Sequence, residues 1–329
     1  MNVRTSRSLP EGEFPANGLP HERLAFAAKY AALAPTESNW QPWKFRVTDT
    51  HVELRAKNDP ALEAMDPDGR ELMIACGSAL QYLTVALKYF GCLGQVSLFP
   101  DLGESALVAT VHLGFGRGPE ARQLFEAMTA SRVRLSTLGG TPVSETMLAV
   151  LAQSAVGERG WLDFAQSEIS RQHVMEIAMS EEQSSTNLER SHAHPANMVG
   201  GLLVSRWLRP FFAFGARNLD PEDSWNEDDE PAGQKPASMA TLAVVKTKTD
   251  DKHGWLAAGQ TMARTVLQAQ ALGLAWAFFD PVRRREAREA LRVGVGHKGF
   301  AQVILCFGAL TAGEMIPQIM RTAVGARLQ

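Results

Sequence analysis

Apolar positions along the chain form two long helical stripes, each followed by short alternating runs. In the first stripe Leu72, Ala75, Ala79, Leu80, Leu83 and Leu87 return at helical intervals, which places them on one broad face. Asp68 and Glu71 have the spacing of a capping box at its start. Gly91, just after Tyr89 and Phe90, is placed to end it as a left-handed terminator. The second stripe runs from Trp255 to Leu272 and stops at Gly273. Phe45–Val47 and Val52–Leu54 alternate on either side of Thr48-Asp49-Thr50, which predicts a hairpin. Further strands are predicted at Val96–Phe99, Ala106–Leu113, Trp161–Phe164, Met239–Val245, Ala275–Phe279 and Gln302–Phe307. Shorter helices are predicted at Leu24–Leu33, Glu120–Thr129, Ser167–Ser180 and Arg283–Leu291, with another capped by Ser144 and running to Val156. The pattern is that of an α+β protein with helices packed around antiparallel sheets.

The two stripes are alike in detail. Gly77 precedes Gly91 by the interval that separates Gly259 from Gly273. Each stripe is followed by an apolar strand and a proline, Pro100 or Pro281, and Trp43 and Trp161 each open an earlier strand. This predicts two related halves of about 120 and 200 residues. Residues 1–19 read as an arm, 20–118 as the first half and 119–329 as the second, with Gly114–Pro119 as the linker. The second half holds an irregular insertion around 181–236, long for a connection inside a compact domain.

The halves differ before their first strand. The first carries Pro35-Thr36-Glu37-Ser38-Asn39-Trp40-Gln41-Pro42-Trp43, where the second has only Val156-Gly157-Glu158-Arg159-Gly160. Pro35 stops the preceding helix, and Pro42 biases Gln41 toward extended geometry. Thr36, Ser38 and Asn39 are short side chains that bond locally and suit an irregular loop. The stretch resembles the signature Ala-Pro-Ser-x-x-Asn-x-Gln-Pro-Trp-x-Phe of the nitroreductase-like flavoproteins. Ala34, Pro35, Asn39, Gln41, Pro42, Trp43 and Phe45 match it, and Thr36 replaces the serine. The Acg-like branch, whose chains are two fused halves, is similar over most of residues 20–310. It shares the run from Asp66 to Glu71, Cys76-Gly77, and Trp255 to Gln260.

The resemblance implies a nitroreductase-like fold and a single-chain pseudo-dimer around one FMN. Pro35, Thr36, Ser38 and Asn39 would then lie at the flavin ring or its ribityl chain. A dianionic phosphate needs arginine and backbone donors. The family's Arg-Arg-Ser-x-Arg-like stretch falls on Arg132, Val133, Arg134, Leu135 and Ser136, in degraded form, so Arg132, Arg134 and Ser136 are the candidates, with Arg321 from the C-terminal region. A backbone N–H of the family commonly meets flavin N5 after the second long helix. Pro281 has none, so either Asp280 would supply the bond or it is absent. The activity implied is transfer from NAD(P)H through flavin N5 to a nitroaromatic or quinone. The alternative is a non-catalytic, flavin-sequestering protein of the Acg type. In that reading the insertion is a lid, and Trp207–Phe214 covers the flavin entrance. No side chain is expected to act as acid or base.

Charge and composition narrow the partners. The net charge of −3 gives no electrostatic footprint for nucleic acid. Cys76, Cys92 and Cys306 are isolated and odd in number, as expected of a reducing cytoplasm. The apolar run from Val199 to Phe214 is broken by Arg206 and Arg209, so no membrane association is expected. His192-Ala193-His194 lacks companion ligands for a metal, and Gly294–Gly299 precedes a strand rather than opening a helix. The expected partners are small molecules, and the expected state is a monomer, itself the pseudo-dimer, or a homodimer.

Overall fold

The computed structural model describes residues 11–36, 41–57, 66–101, 103–129, 143–157, 159–178, 241–279, 285–296 and 298–309. The first half of these holds α1 (Pro20–Tyr30), β1 (Trp43–Val47), β2 (His51–Ala56), α2 (Arg70–Tyr89), β3 (Leu93–Leu98), β4 (Leu107–Leu113) and α3 (Pro119–Thr129). The second holds α4 (Glu145–Ala155), β5 (Gly160–Phe164), the helical residues 168–178 as α5, β6 (Thr241–Thr247), α6 (Lys252–Ala271), β7 (Leu274–Phe279), α7 (Arg285–Gly294) and β8 (Phe300–Ala309). The strands form two four-stranded sheets in the orders β1-β2-β4-β3 and β5-β6-β8-β7. The second order is the first with every strand number raised by four. Helix, two strands, 20-residue helix and two strands therefore recur, with α5 and α7 inserted between the strands of the second half.

The predicted hairpin forms in the register that alternation requires, Phe45 opposite Leu54 and Val47 opposite Val52. The long helices end where the glycines stand. Gly91 has φ +67° and donates to the Lys88 carbonyl at 3.1 Å, while Cys92 N–H reaches the Leu87 carbonyl at 2.7 Å. This is a Schellman closure. Gly273, at φ +73°, bonds the Gln270 carbonyl. The helix starts differ from expectation. The residue ahead of α2 is Gly69 at φ +70°, with no side-chain cap. The Asp66 carboxylate, not Asp68, accepts the Leu72 N–H at 2.9 Å. The left-handed turn at Gly69 folds the chain back, so the acid that meets the helix end lies further upstream. Helix α6 begins before Trp255 because the Asp251 carboxylate accepts N–H bonds from His253 and Gly254 at 3.0 and 2.9 Å.

The chain divides into two compact units. One comprises Met1–Ser131, Ala155–Trp161 and Thr247–Leu267, and the other comprises Arg132–Ser154, Leu162–Lys246 and Gln268–Gln329. In the first unit α1 and α2 cover the sheet, burying Leu24, Leu54, Leu80, Leu83, Leu87 and Val111. Helix α2 is apolar and long enough to cross a bilayer by length and composition, and 72% of that window is buried inside the protein. An aromatic cluster closes one end of this core. Phe14 of the N-terminal arm stacks on Phe90 at 4.2 Å, and Tyr89 stacks on Phe125 at 3.9 Å. Residues 114–116 run against β3 rather than leaving the sheet, and Gly116 bridges Leu93.

This cluster sets a pH dependence. Burial, followed by the charge of Glu11, pushes the Tyr30 hydroxyl up to about 12. Tyr89 is also raised to about 12 by burial and by its hydrogen bond to Glu11. A raised folded-state pKa stabilises fully below the ordinary tyrosine value and is lost as pH climbs through the folded one. Stability should therefore hold to about pH 10 and fall between about 10 and 12. Tyrosinate absorbance recorded with near-ultraviolet dichroism checks this, since both signals should change together. Tyrosinate appearing near pH 10 with the fold intact would contradict it.

In the second unit Val174, Ala178, Val244, Leu291, Val295 and Ile304 form the core between α5, α7 and the sheet. Lys246 lies inside this unit with no exposed surface. Its ammonium donates to the Val295 carbonyl at 2.6 Å and to the Gly296 carbonyl, and pairs with Asp163 at 3.1 Å. These carbonyls follow the end of α7, where a cation also suits the helix dipole.

Candidate functional site

The loop before β1 is clamped at both of its described ends. A short helical turn, Ala31–Leu33, follows α1 and closes when Ala34 N–H bonds the Ala31 carbonyl. The Gln41 side-chain amide reaches back to the Ala32 carbonyl at 2.7 Å. Lys57 N–H holds the Pro42 carbonyl at 2.8 Å, which ties the loop exit to the end of β2. Pro35, Pro42 and Trp43 are buried, Thr36 is half-buried and Gln41 is exposed. The described ends of this arch are thus both anchored at buried prolines, Pro35 and Pro42.

Its floor is α2. The Ser78 hydroxyl, fully buried, donates to the Pro35 carbonyl at 3.0 Å. Gln81 lies one turn further along the same helix and is also buried. It accepts a hydrogen bond from the Arg264 guanidinium of α6 at 3.3 Å. A serine and a glutamine inside so apolar a helix need partners, because a buried polar group left unpaired is costly.

Helices α2 and α6 cross here at backbone contact. A Cβ on Gly77 would stand 2.1 Å from the Leu256 carbonyl oxygen and 3.1 Å from Gln260 N. A Cβ on Gly259 would stand 1.9 Å from the Ile74 carbonyl oxygen and 2.9 Å from Ser78 N. Leu256 precedes Gly259 by three residues, as Ile74 precedes Gly77. Each glycine is the eighth residue of its helix. The contact is reciprocal, so the crossing has local two-fold character. Cys76, beside Gly77, is fully buried, and burial pushes its thiol up to about 12. It is a packed thiol at neutral pH and not a nucleophile.

The connection before β5 is built otherwise. Gly157 N–H bonds the Gly160 carbonyl at 2.9 Å, closing a tight turn. A Cβ on Gly160 would lie 2.3 Å from the Thr261 hydroxyl. This chain segment presses directly on α6 and leaves no arch like the one at Pro35.

Of the residues the sequence singles out, Pro35 and Thr36 stand at this arch. Ser38, Asn39, Arg132, Arg134, Ser136, Asp280 and Arg321 lie outside the described residues, as does the insertion 181–236 with Trp207–Phe214. Among the described residues no cluster of three metal-ligating side chains occurs. Ser78, Gln81 and Arg264 did not emerge from sequence reading. The signal for Ser78 and Gln81 was the interruption of the apolar stripe of α2 by polar residues near Gly77, and Arg264 on α6 carried none.

The chain is 29% identical over 292 residues to a Mycobacterium tuberculosis protein named "Putative NAD(P)H nitroreductase Rv3131", covering 84% of this chain and 82% of that one. Over 85 residues, 26% of each chain, it is 33% identical to "Putative NAD(P)H nitroreductase acg" of the same organism. A solved structure, a BluB-like flavoprotein from Clostridium difficile 630, superposes with a TM-score of 0.38 and 12% identity, over 61% of this chain and 94% of that one. No family model matches.

Proposed function

We propose that this chain, a relative of the NAD(P)H nitroreductases of the Acg-like group, is an FMN-binding oxidoreductase. It would take electrons from a reduced nicotinamide and pass them to a nitroaromatic or quinone. The observation that carries the reading is the alignment with the Mycobacterium tuberculosis relative, which spans 84% of this chain. Two structural features support it. The repeated topology suits a single-chain pseudo-dimer. The connection that carries the flavin signature, ahead of β1, is longer than its counterpart ahead of β5, which closes in a tight turn at Gly157–Gly160.

The described part of the site fits a neutral, polar flavin edge. Pro35 and Thr36 offer one face of a peptide fixed by Ser78, beside the buried Pro42 and Trp43 at the loop exit. Bound FMN would supply the hydride chemistry, and the protein would bind and orient it. Pro35, Thr36, Ser38 and Asn39 are proposed at the ring and ribityl side. Arg132, Arg134, Ser136 and Arg321 are proposed at the phosphate, and Asp280 near the ring nitrogen.

Because the turn at Gly157–Gly160 packs on α6 where the first half has its arch, one FMN per chain is expected. Flavin released from purified protein, quantified against chain concentration, checks it, and two equivalents would contradict it. The same preparation, treated with NADPH without oxygen, separates catalysis from sequestration. Bleaching of the flavin absorbance, followed by reoxidation with a quinone, is expected of the enzyme. A bound flavin that NADPH leaves oxidised would favour the sequestering alternative.

A further inference from the structure

The Ser78–Pro35 bond fixes more than the position of the loop. The Pro35 carbonyl points at α2, where the buried Ser78 hydroxyl donates to it at 3.0 Å. No described peptide is cis. In a trans peptide the carbonyl and the next residue's N–H point in opposite directions. The Thr36 N–H is therefore turned away from α2, toward the outer side of the arch. Among the described residues it makes no hydrogen bond. It sits beside a buried proline in a half-buried residue, so it is a fixed donor offered to an acceptor on that side.

We infer that Ser78 is a positioning residue that holds the Pro35–Thr36 peptide in one orientation, so that the Thr36 backbone N–H donates to an acceptor atom of the bound flavin. This rests on the FMN reading above and adds to it a donor and the group that aims it. It also couples the site to the helix crossing, because Ser78 N lies 2.9 Å from where a Cβ on Gly259 would stand. The alternative orientation, with the peptide flipped, would point the Pro35 carbonyl at the ligand and present an acceptor instead of a donor. Ser78 excludes it by occupying that carbonyl.

The test is a double-mutant cycle on the full chain with FMN as the probe. Ser78→Ala frees the peptide to rotate. Thr36→Pro removes the N–H and leaves Ser78 in place. Dissociation constants are read from quenching of FMN fluorescence, and visible spectra are taken at saturating FMN. Each single variant should weaken FMN about tenfold, the scale of one lost hydrogen bond. The double variant should be no weaker than Thr36→Pro alone, because Ser78 acts through that N–H. At saturation the flavin band of Ser78→Ala should move toward that of free FMN. A loss of stability alone would not move it.

Losses that add in the double variant would overturn the inference, as would Ser78→Ala binding FMN like the wild type. If Thr36→Pro does not fold, Ser78→Ala decides alone: weakened binding with an unshifted band overturns the proposal. A wild-type protein that binds no FMN sinks the flavin reading, and the inference with it. The two failures are thus told apart by the wild-type measurement.

Discussion

Gly77→Ala should destabilise the protein by at least about 3 kcal/mol, the upper range for overpacking a tight interior. The added methyl group would lie 2.1 Å from the Leu256 carbonyl oxygen, a backbone atom that cannot rotate aside. To admit it, α2 and α6 must separate along the crossing. That would also disturb Ser78, whose amide is within 3 Å of the Gly259 contact. Gly259→Ala should cost a similar amount, since its methyl would meet Ile74 O at 1.9 Å. Both variants spread the same pair of helices, so the double variant should cost less than the sum of the two. Urea unfolding followed by dichroism would measure all three. A Gly77→Ala protein with an unchanged urea midpoint would refute the close crossing.

Lys246→Met should be the next most damaging change, at about 2–4 kcal/mol. The methionine keeps most of the apolar stem but leaves the Val295 and Gly296 carbonyls at the end of α7 without their donor. Asp163→Asn is the informative control. The Asp163 side chain is 35% exposed, so water can replace part of what it gives Lys246. Its loss should cost under about 1 kcal/mol, as for partly exposed ion pairs. Equal losses for the two variants would mean that the ion pair dominates, rather than the two carbonyl bonds.

How much of this was legible beforehand depends on the range of the interaction. The ends of both long helices were readable because a left-handed turn at Gly91 or Gly273 is a local requirement. Their starts were not, because Asp66 reaches α2 across the left-handed turn at Gly69, and Asp251 caps α6 from ahead of its first residue. The strand expected over Met239–Val245 runs on through Lys246 to Thr247, and the carbonyls at 295 and 296 let that lysine lie inside. Arg264 was invisible for the same reason, and Ser78 and Gln81 showed only as polar breaks in an apolar stripe. Their meaning appears only when α2 and α6 meet. The arch at Pro35 was legible as a loop, because prolines and short polar side chains act locally. Which way its peptide faces was not.

That meeting also has a cost in time. The Gln81–Arg264 bond joins positions 183 residues apart. Bringing such distant segments together delays the gain from their contacts, and chains rich in such contacts fold slowly. On a ribosome, the first sheet and α2 emerge well before α6 has been made. Until then the glycine-bearing face of α2 has no partner, and the first half waits with part of its central helix uncovered. The backbone-to-backbone crossing of α2 and α6 therefore cannot begin to form until most of the second half has been made.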